Sequence, residues 1–320
     1  MNKIAQCVPN ISEGRDLNII DYIVEPLKNQ TGFKLISYEP DRDYNRTVIT
    51  LIGDPHLMII PLIEFFRRAI EKIDMRIQKG EHPRMGAVDV VPFIPISNIT
   101  MEECVEHAKD LAIHVSYMHQ IPVYLYAKAA TQENRISLPD IRKGEFEGMA
   151  QKIGEPEWKP DYGNPMIHET FGVVAIGARM PLIAFNIDLN TTDEKVASAI
   201  AKSIRQSSGG FQYIQAGPAI LSDLQCVQVT MNILDYKKNP MYRIFETVAM
   251  EAKRYQVLIK GSEIIGLIPK DALIDTVKYY QQCMNQPFDK NINLESLSTL
   301  AIFHLKLRGF SISKIIESYL

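Results

Sequence analysis

The chain has 320 residues, 46% of them hydrophobic and 23% charged, with a formal net charge of −3. That length fits two domains of ordinary size or one large one, and the composition is that of a globular protein. The charge gives no electrostatic case for nucleic acid, and the most apolar window, 57–66, is short and broken by Pro61 and Glu64, so no membrane span is expected. Met1-Asn2-Lys3-Ile4-Ala5-Gln6-Cys7 reaches Pro9 without the apolar core of a signal peptide, which points to the cytoplasm. In chain order, 4–8, 33–38 and 46–53 read as strands. Ser12 is expected to cap a helix over about 16–29, with Glu13 adding a favourable charge at its start. Asp54-Pro55 leads an amphipathic helix over about 56–75, in which Leu62, Phe65, Phe66, Ala69 and Ile73 recur at helical spacing. A strand over 88–96 precedes a helix over 100–119, with Thr100 and Glu103 in capping-box spacing, and 123–127 is a further strand. From about 131 to 172 the periodicity dissolves into a stretch rich in Pro, Gly and charge, which holds the sole tryptophan, Trp158. A segment of that kind is a binding loop or an interdomain crossing. A second series follows: a strand over 181–187, a helix over 192–203 begun by Thr192 or Asp193, and a strand over 227–234. A helix led by Pro240 to about 254, a strand-like 257–259, a helix over 270–282 and a helical tail from about 294 complete it. The run Val48-Ile49-Thr50-Leu51-Ile52-Gly53-Asp54-Pro55 before one long helix is echoed by Val229-Thr230-Met231-Asn232-Ile233-Leu234 and Asn239-Pro240 before another. The expected class is α/β (α+β), with two similar subdomains, each a sheet with helices packed on one face.

Cys7, Cys104, Cys226 and Cys283 are scattered without CxxC spacing, so reduced thiols are expected and neither a zinc site nor a disulfide framework. His107, His114 and His119 share one helix at spacings that suit a partly exposed surface better than a metal site. The stretch Lys79-Gly80-Glu81-His82-Pro83-Arg84-Met85-Gly86-Ala87-Val88-Asp89 is more informative. Pro83 biases His82 toward an extended backbone, and Gly80 and Gly86 allow unusual turns or a close approach. A histidine held between Glu81 and Arg84 at the mouth of an apolar strand suits a general acid or base near neutral pH, or else a loop histidine that caps the strand.

Cys7-Val8-Pro9-Asn10-Ile11-Ser12-Glu13-Gly14, Asn45-Arg46-Thr47-Val48, Gly80-Glu81-His82-Pro83-Arg84-Met85-Gly86-Ala87 and Ile183-Ala184-Phe185-Asn186-Ile187 together resemble glutamate formimidoyltransferase (formiminotransferase). The runs Leu138-Pro139-Asp140-Ile141-Arg142-Lys143-Gly144-Glu145-Phe146-Glu147-Gly148 and Gly261-Ser262-Glu263-Ile264-Ile265-Gly266-Leu267-Ile268-Pro269 extend the likeness over nearly the whole chain. The resemblance implies two α/β subdomains, 1–178 and 179–320, a folate tunnel between them, and a homodimer. It implies transfer of a formimino group from N-formimino-L-glutamate to tetrahydrofolate, the latter as co-substrate and with no metal, in histidine degradation and one-carbon metabolism. The family's catalytic histidine falls on His82, and its folate-binding loop on Gly163, Asn164, Pro165, Met166, Ile167, His168, Glu169, Thr170, Phe171 and Gly172. The cyclodeaminase of the animal enzyme is expected to be a separate partner.

Asp41, Asp43, Asn45 and Glu81 are the supporting candidates, the carboxylates to fix the imidazole tautomer or stabilise a cationic amidine; an Asx-rich turn would also account for the cluster at 41–45. Both substrates carry carboxylates, so Arg46 and Arg84 are the first candidates to bind them, with Arg42, Lys128 and Arg179 behind. Two features depart from the animal pattern: 207–215 has no lysine, and the turn at 41–45 is shorter. Two other functions stay open: action mainly on 5-formyl-tetrahydrofolate with glutamate as acceptor, and folate binding without catalysis.

Overall fold

The computed structural model describes residues 3–221 and 223–320; Met1 and Asn2 of the amino-terminal stretch and Ser222 lie outside the described residues. Two compact units divide between Met180 and Pro181. In chain order the first unit contains β1 (Ile4–Cys7), β2 (Asn10–Ile11), α1 (Leu17–Val24), β3 (Phe33–Asp41), β4 (Arg46–Gly53) and α2 (Pro55–Lys72). It continues with β5 (Val88–Ser97), α3 (Met101–His119), β6 (Val123–Ala127), α4 (Leu138–Arg142), α5 (Glu145–Lys152) and β7 (Val174–Ala178).

The seven strands form one sheet, with β4 paired antiparallel to β3 on one side and to β1 and β2 on the other. Both β1 and β2 pair with β5, which runs parallel to β7, and β7 parallel to β6. Alternation along each strand decides which face a side chain joins. In β6, Val123 and Leu125 enter the main core with Ile20, Leu62, Phe66 and Leu111 of the helices. Tyr124 and Tyr126 point the other way, into a smaller core with Ile141 of α4 and Met149 of α5. The first unit thus carries the expected helical layer and adds a short helical patch on the opposite face.

The 131–172 stretch is therefore less irregular than its composition suggests: α4 and α5 are too short to show helical periodicity. The first helix is capped by Asp16, whose carboxylate accepts from the N–H groups of Asn18 and Ile19. Ser12, the expected cap, instead donates to the Gly86 carbonyl at 2.8 Å, tying β2 to the His82 loop. The capping box at Thr100 and Glu103 is present on α3.

The second unit contains β8 (Ile183–Leu189), α6 (Glu194–Ile204), β9 (Ile214–Leu221), β10 (Cys226–Ile233), α7 (Met241–Lys253), β11 (Ile259–Ile265), α8 (Lys270–Cys283) and α9 (Leu294–Leu305). Its four strands form an antiparallel sheet in the order β11–β8–β10–β9. β9 escapes the sequence pattern because Gly217 and Pro218 interrupt it, which an edge strand tolerates. One face packs on the helices through Phe185, Val229, Ile244 and Leu273. The other carries a polar network in which Gln228 donates to Asp188 and Glu263 at 2.7 and 2.9 Å, and Arg308 binds both carboxylates. Among the described residues no helix is long and apolar enough to cross a membrane.

Candidate active site

The His82 loop is held by two backbone approaches that exclude a side chain. A Cβ on Gly80 would lie 2.3 Å from the Tyr44 carbonyl oxygen, and one on Gly86 2.0 Å from that of Val173. Asn45 adopts a left-handed backbone (φ 49°), a conformation asparagine tolerates. Its side chain accepts from Gly14 N–H at 3.0 Å and donates to the Lys79 carbonyl at 2.8 Å, while Gln78 donates to its carbonyl at 3.0 Å. Asn45 is thus the joint between the β3–β4 turn and the His82 loop, and Arg46 follows it at the start of β4.

His82, half-buried, lines a narrow cleft with Ser12, Tyr44, Arg46, Gln78, Arg84 and Asp89. Arg46 points its Nη1 at His82 Nε2 and places Nε 2.8 Å from Asn10 Oδ1, which Nη2 also contacts. Its hydrogen-bond partners are neutral, and burial lowers its pKa to about 10. Tyr44 sets its ring edgewise to the imidazole, centroids 5.9 Å apart. Burial above all, then the Arg46 and Arg142 charges, lowers the His82 pKa to about 4, with Asp89 opposing. His82 is therefore neutral at pH 7 with a lone pair facing a guanidinium.

Because His82 takes up its proton at about pH 4 when folded and near 6.5 when unfolded, the unfolded chain binds more protons between those values. Stability is expected to fall as pH drops from about 6.5 toward 4, by about 3 kcal/mol from this residue. Burial pushes His107, His119, His168 and His304 in the same direction. Urea unfolding across that range checks it: His82→Gln should show a shallower loss than wild type, and parallel curves would refute the assignment.

Arg84 lines the cleft, but its donors are already taken by protein groups. Its Nη groups donate to Glu145 at 2.9 Å and to both oxygens of Glu147 at 2.8 Å, and its Nε and Nη2 to Gln78 at 3.0 and 3.1 Å. All five N–H groups are engaged, so Arg84 anchors the His82 loop to α5 and has no donor left for substrate. Asp41 closes an Asx turn, accepting from the N–H of Asp43 and Tyr44 at 3.0 and 2.8 Å. Asp43 and Glu81 are exposed and linked through backbone, Glu81 N–H to Asp43 O at 3.3 Å. The carboxylate lining the cleft is instead Asp89, near the start of β5. Of the reserve cations, Arg42 and Lys128 are exposed, and Arg179 donates to the Met180 carbonyl at 3.0 Å.

The 163–172 loop closes on itself: His168 and Gly172 exchange backbone hydrogen bonds at 3.1 and 2.8 Å, and His168 Nδ1 accepts from Phe171 N–H at 3.1 Å. Phe171 is fully buried, its ring 6.0 Å from that of Phe66, so it supports the loop from below and offers no face for stacking. Asn164, Pro165 and Met166 form the exposed apex, with Met166 71% exposed, and Glu169 pairs with Arg76 at 2.6 Å. Among the described residues no three His, Cys, Asp or Glu side chains converge as a metal site.

Sequence reasoning missed Asn10, Tyr44, Asp89 and Arg142 as parts of this site. Asn10, Asp89 and Arg142 stand inside the quoted runs, but nothing local says where they point.

Residues 4–179 match the N-terminal subdomain of the formiminotransferase domain, and 184–319 match a second formiminotransferase domain model. The chain is 46% identical over 292 residues to a glutamate formimidoyltransferase of Streptococcus pyogenes serotype M1, covering 91% of this chain and 98% of that one. A glutamate formimidoyltransferase of Thermoplasma acidophilum is 42% identical over 281 residues, covering 87% and 92%. The formimidoyltransferase-cyclodeaminase of Gallus gallus is 39% identical over 286 residues; this chain spans 53% of its length. The two-subdomain α/β fold and these relatives define the chain as a transferase. It belongs to the formiminotransferase family.

Proposed function

We propose that the chain transfers the formimino group from N-formimino-L-glutamate to tetrahydrofolate, giving 5-formimino-tetrahydrofolate and L-glutamate. The observation that carries this reading is the neutral His82 imidazole set against Arg46 in the cleft. N5 of the folate attacks the formimino carbon, and His82 takes the proton that N5 gives up. The carbon–nitrogen bond to glutamate then breaks, and the imidazolium returns that proton to the departing amine. The surroundings that make His82 a weak base make its conjugate acid strong, which favours the second half of the sequence.

Arg46, whose side-chain partners Asn10 and His82 are neutral, is the docking point for a substrate carboxylate. Asn45 and Arg84 position the His82 loop. Asn164, Pro165 and Met166 at the loop apex contact the folate, with Phe171 supporting them. The enzyme works in the cytoplasm, where its four unpaired cysteines stay reduced, and as a homodimer.

Mixing purified protein with both substrates and then acidifying converts the product to methenyl-tetrahydrofolate, read by absorbance. Signal that needs both substrates is expected. Its absence, with 5-formyl-tetrahydrofolate consumed in the presence of glutamate, would replace this reading. Arg46→Gln should raise KM for formiminoglutamate roughly 10- to 150-fold, the worth of about 1.5–3 kcal/mol for a hydrogen bond to a charged group. An unchanged KM would remove Arg46 from substrate binding.

A further inference from the structure

The carboxylate at the base of the cleft is Asp89, 2% exposed and held on both oxygens. Its Oδ1 accepts from Met85 N–H at 2.9 Å, three residues beyond His82. Its Oδ2 accepts from Arg142 Nε at 2.9 Å and from Arg142 Nη2. Arg142 is the last residue of α4, and that end is itself pinned. Lys152 lies 3.8 Å from the centre of the Trp158 ring and donates to the carbonyls of Asp140, Ile141 and Lys143 at 2.6, 2.7 and 3.3 Å. The charged and titratable groups lining the cleft with His82 are thus Arg46 from β4, Tyr44 from the turn before it, Arg84 from its own loop and Asp89 from β5, and behind Asp89 stands Arg142 from α4, whose charge also reaches the imidazole. Arg84 is matched by Glu145 and Glu147, so with the imidazole neutral the guanidinium groups of Arg46 and Arg142 stand against the one carboxylate of Asp89.

Resting on the reading of His82 as proton carrier, we propose that Asp89 and Arg142 are positioning residues that act as an opposed charge pair. Asp89 fixes the His82 loop and favours the imidazolium, whereas Arg142 holds Asp89 in place and opposes the imidazolium. The electrostatics agree in sign, since Asp89 raises and Arg142 lowers the proton affinity of His82. A bound substrate carboxylate would shift the same balance toward the imidazolium, so that the base strengthens when substrate is present.

Titrating His82 by NMR in ring-labelled protein, with His82→Gln to assign its signal, tests the pair without using activity. In Arg142→Gln the midpoint should rise, with proton affinity roughly tenfold higher or more. In Asp89→Asn it should fall, the ring staying neutral to the lowest pH at which the fold persists. Arg142→Lys keeps the charge and should titrate close to wild type. The acid limb of kcat/KM should move in the same senses. Midpoints that move together, or turnover that falls while midpoints stay fixed, would overturn the pair and leave a purely structural role. If Asp89→Asn fails to fold, the contrast between Arg142→Gln and Arg142→Lys decides alone. Split midpoints in a protein that lacks formimino transfer would sustain the pair and refute the proposed function; active wild type with unsplit midpoints would do the reverse.

Discussion

Replacing His82 with alanine should lower turnover by about 10²–10⁴-fold, the usual worth of a positioned acid–base group. The loss should fall on kcat, because His82 moves a proton while Arg46 is assigned the substrate carboxylate. KM for both substrates should stay within a few-fold of wild type. The substitution also opens the cleft next to Arg46, Tyr44 and Asp89, so imidazole added to the buffer should restore part of the rate. Steady-state kinetics with both substrates varied measure all three quantities. A variant with wild-type kcat would end the assignment, and one that lost folate binding in proportion to turnover would make His82 a binding residue.

The largest stability effect is expected far from the cleft's chemistry, at Arg135. Its side chain is 1% exposed, with Nη1 2.7 Å from Asp161 Oδ2 and Nη2 donating to the Lys159 and Glu157 carbonyls. The guanidinium also lies 5.3 Å from the centre of the Tyr124 ring. Asp161 in turn accepts from Leu125 N–H at 2.8 Å and from the Thr131 hydroxyl. This pair fastens the 131–161 segment to β6, and so helps hold α4 and Arg142 where Asp89 needs them. Arg135→Met leaves Asp161 buried without its counter-charge, which costs about 3–5 kcal/mol. For a unit of this size that lowers Tm by about 10 °C. Adding Asp161→Asn should recover a good part of it, because the uncompensated charge is then gone. Calorimetry on the two variants checks both statements; a single-variant loss below about 1 kcal/mol would mean that the pair is solvated rather than buried.

Much of the backbone was legible because its signals are local. Strands β4 and β6 fall on the expected ranges, α3 has the expected capping box, α6 is capped by Asp193, and α7 follows Pro240. These features depend on residues two to four positions apart, within reach of periodicity and capping rules. Local signals also misled: Ser12 lies near a helix start, yet its hydroxyl is spent on Gly86, a residue 74 positions on.

The sequence by itself determined the two-part α/β plan, the family, and His82 as the residue to examine. Only the tertiary structure decided what surrounds that histidine. Arg84 is paired with Glu145 and Glu147, 61 and 63 positions away, and Asp89 with Arg142, 53 positions away. Phe171 went to the core and Asn10 to Arg46. A charged side chain is neutral to the local pattern, since strands and helices form with it pointing to solvent or inward. Which charge meets which follows from burial, where an unpaired ion is costly and the packed sheet and helices admit few partners.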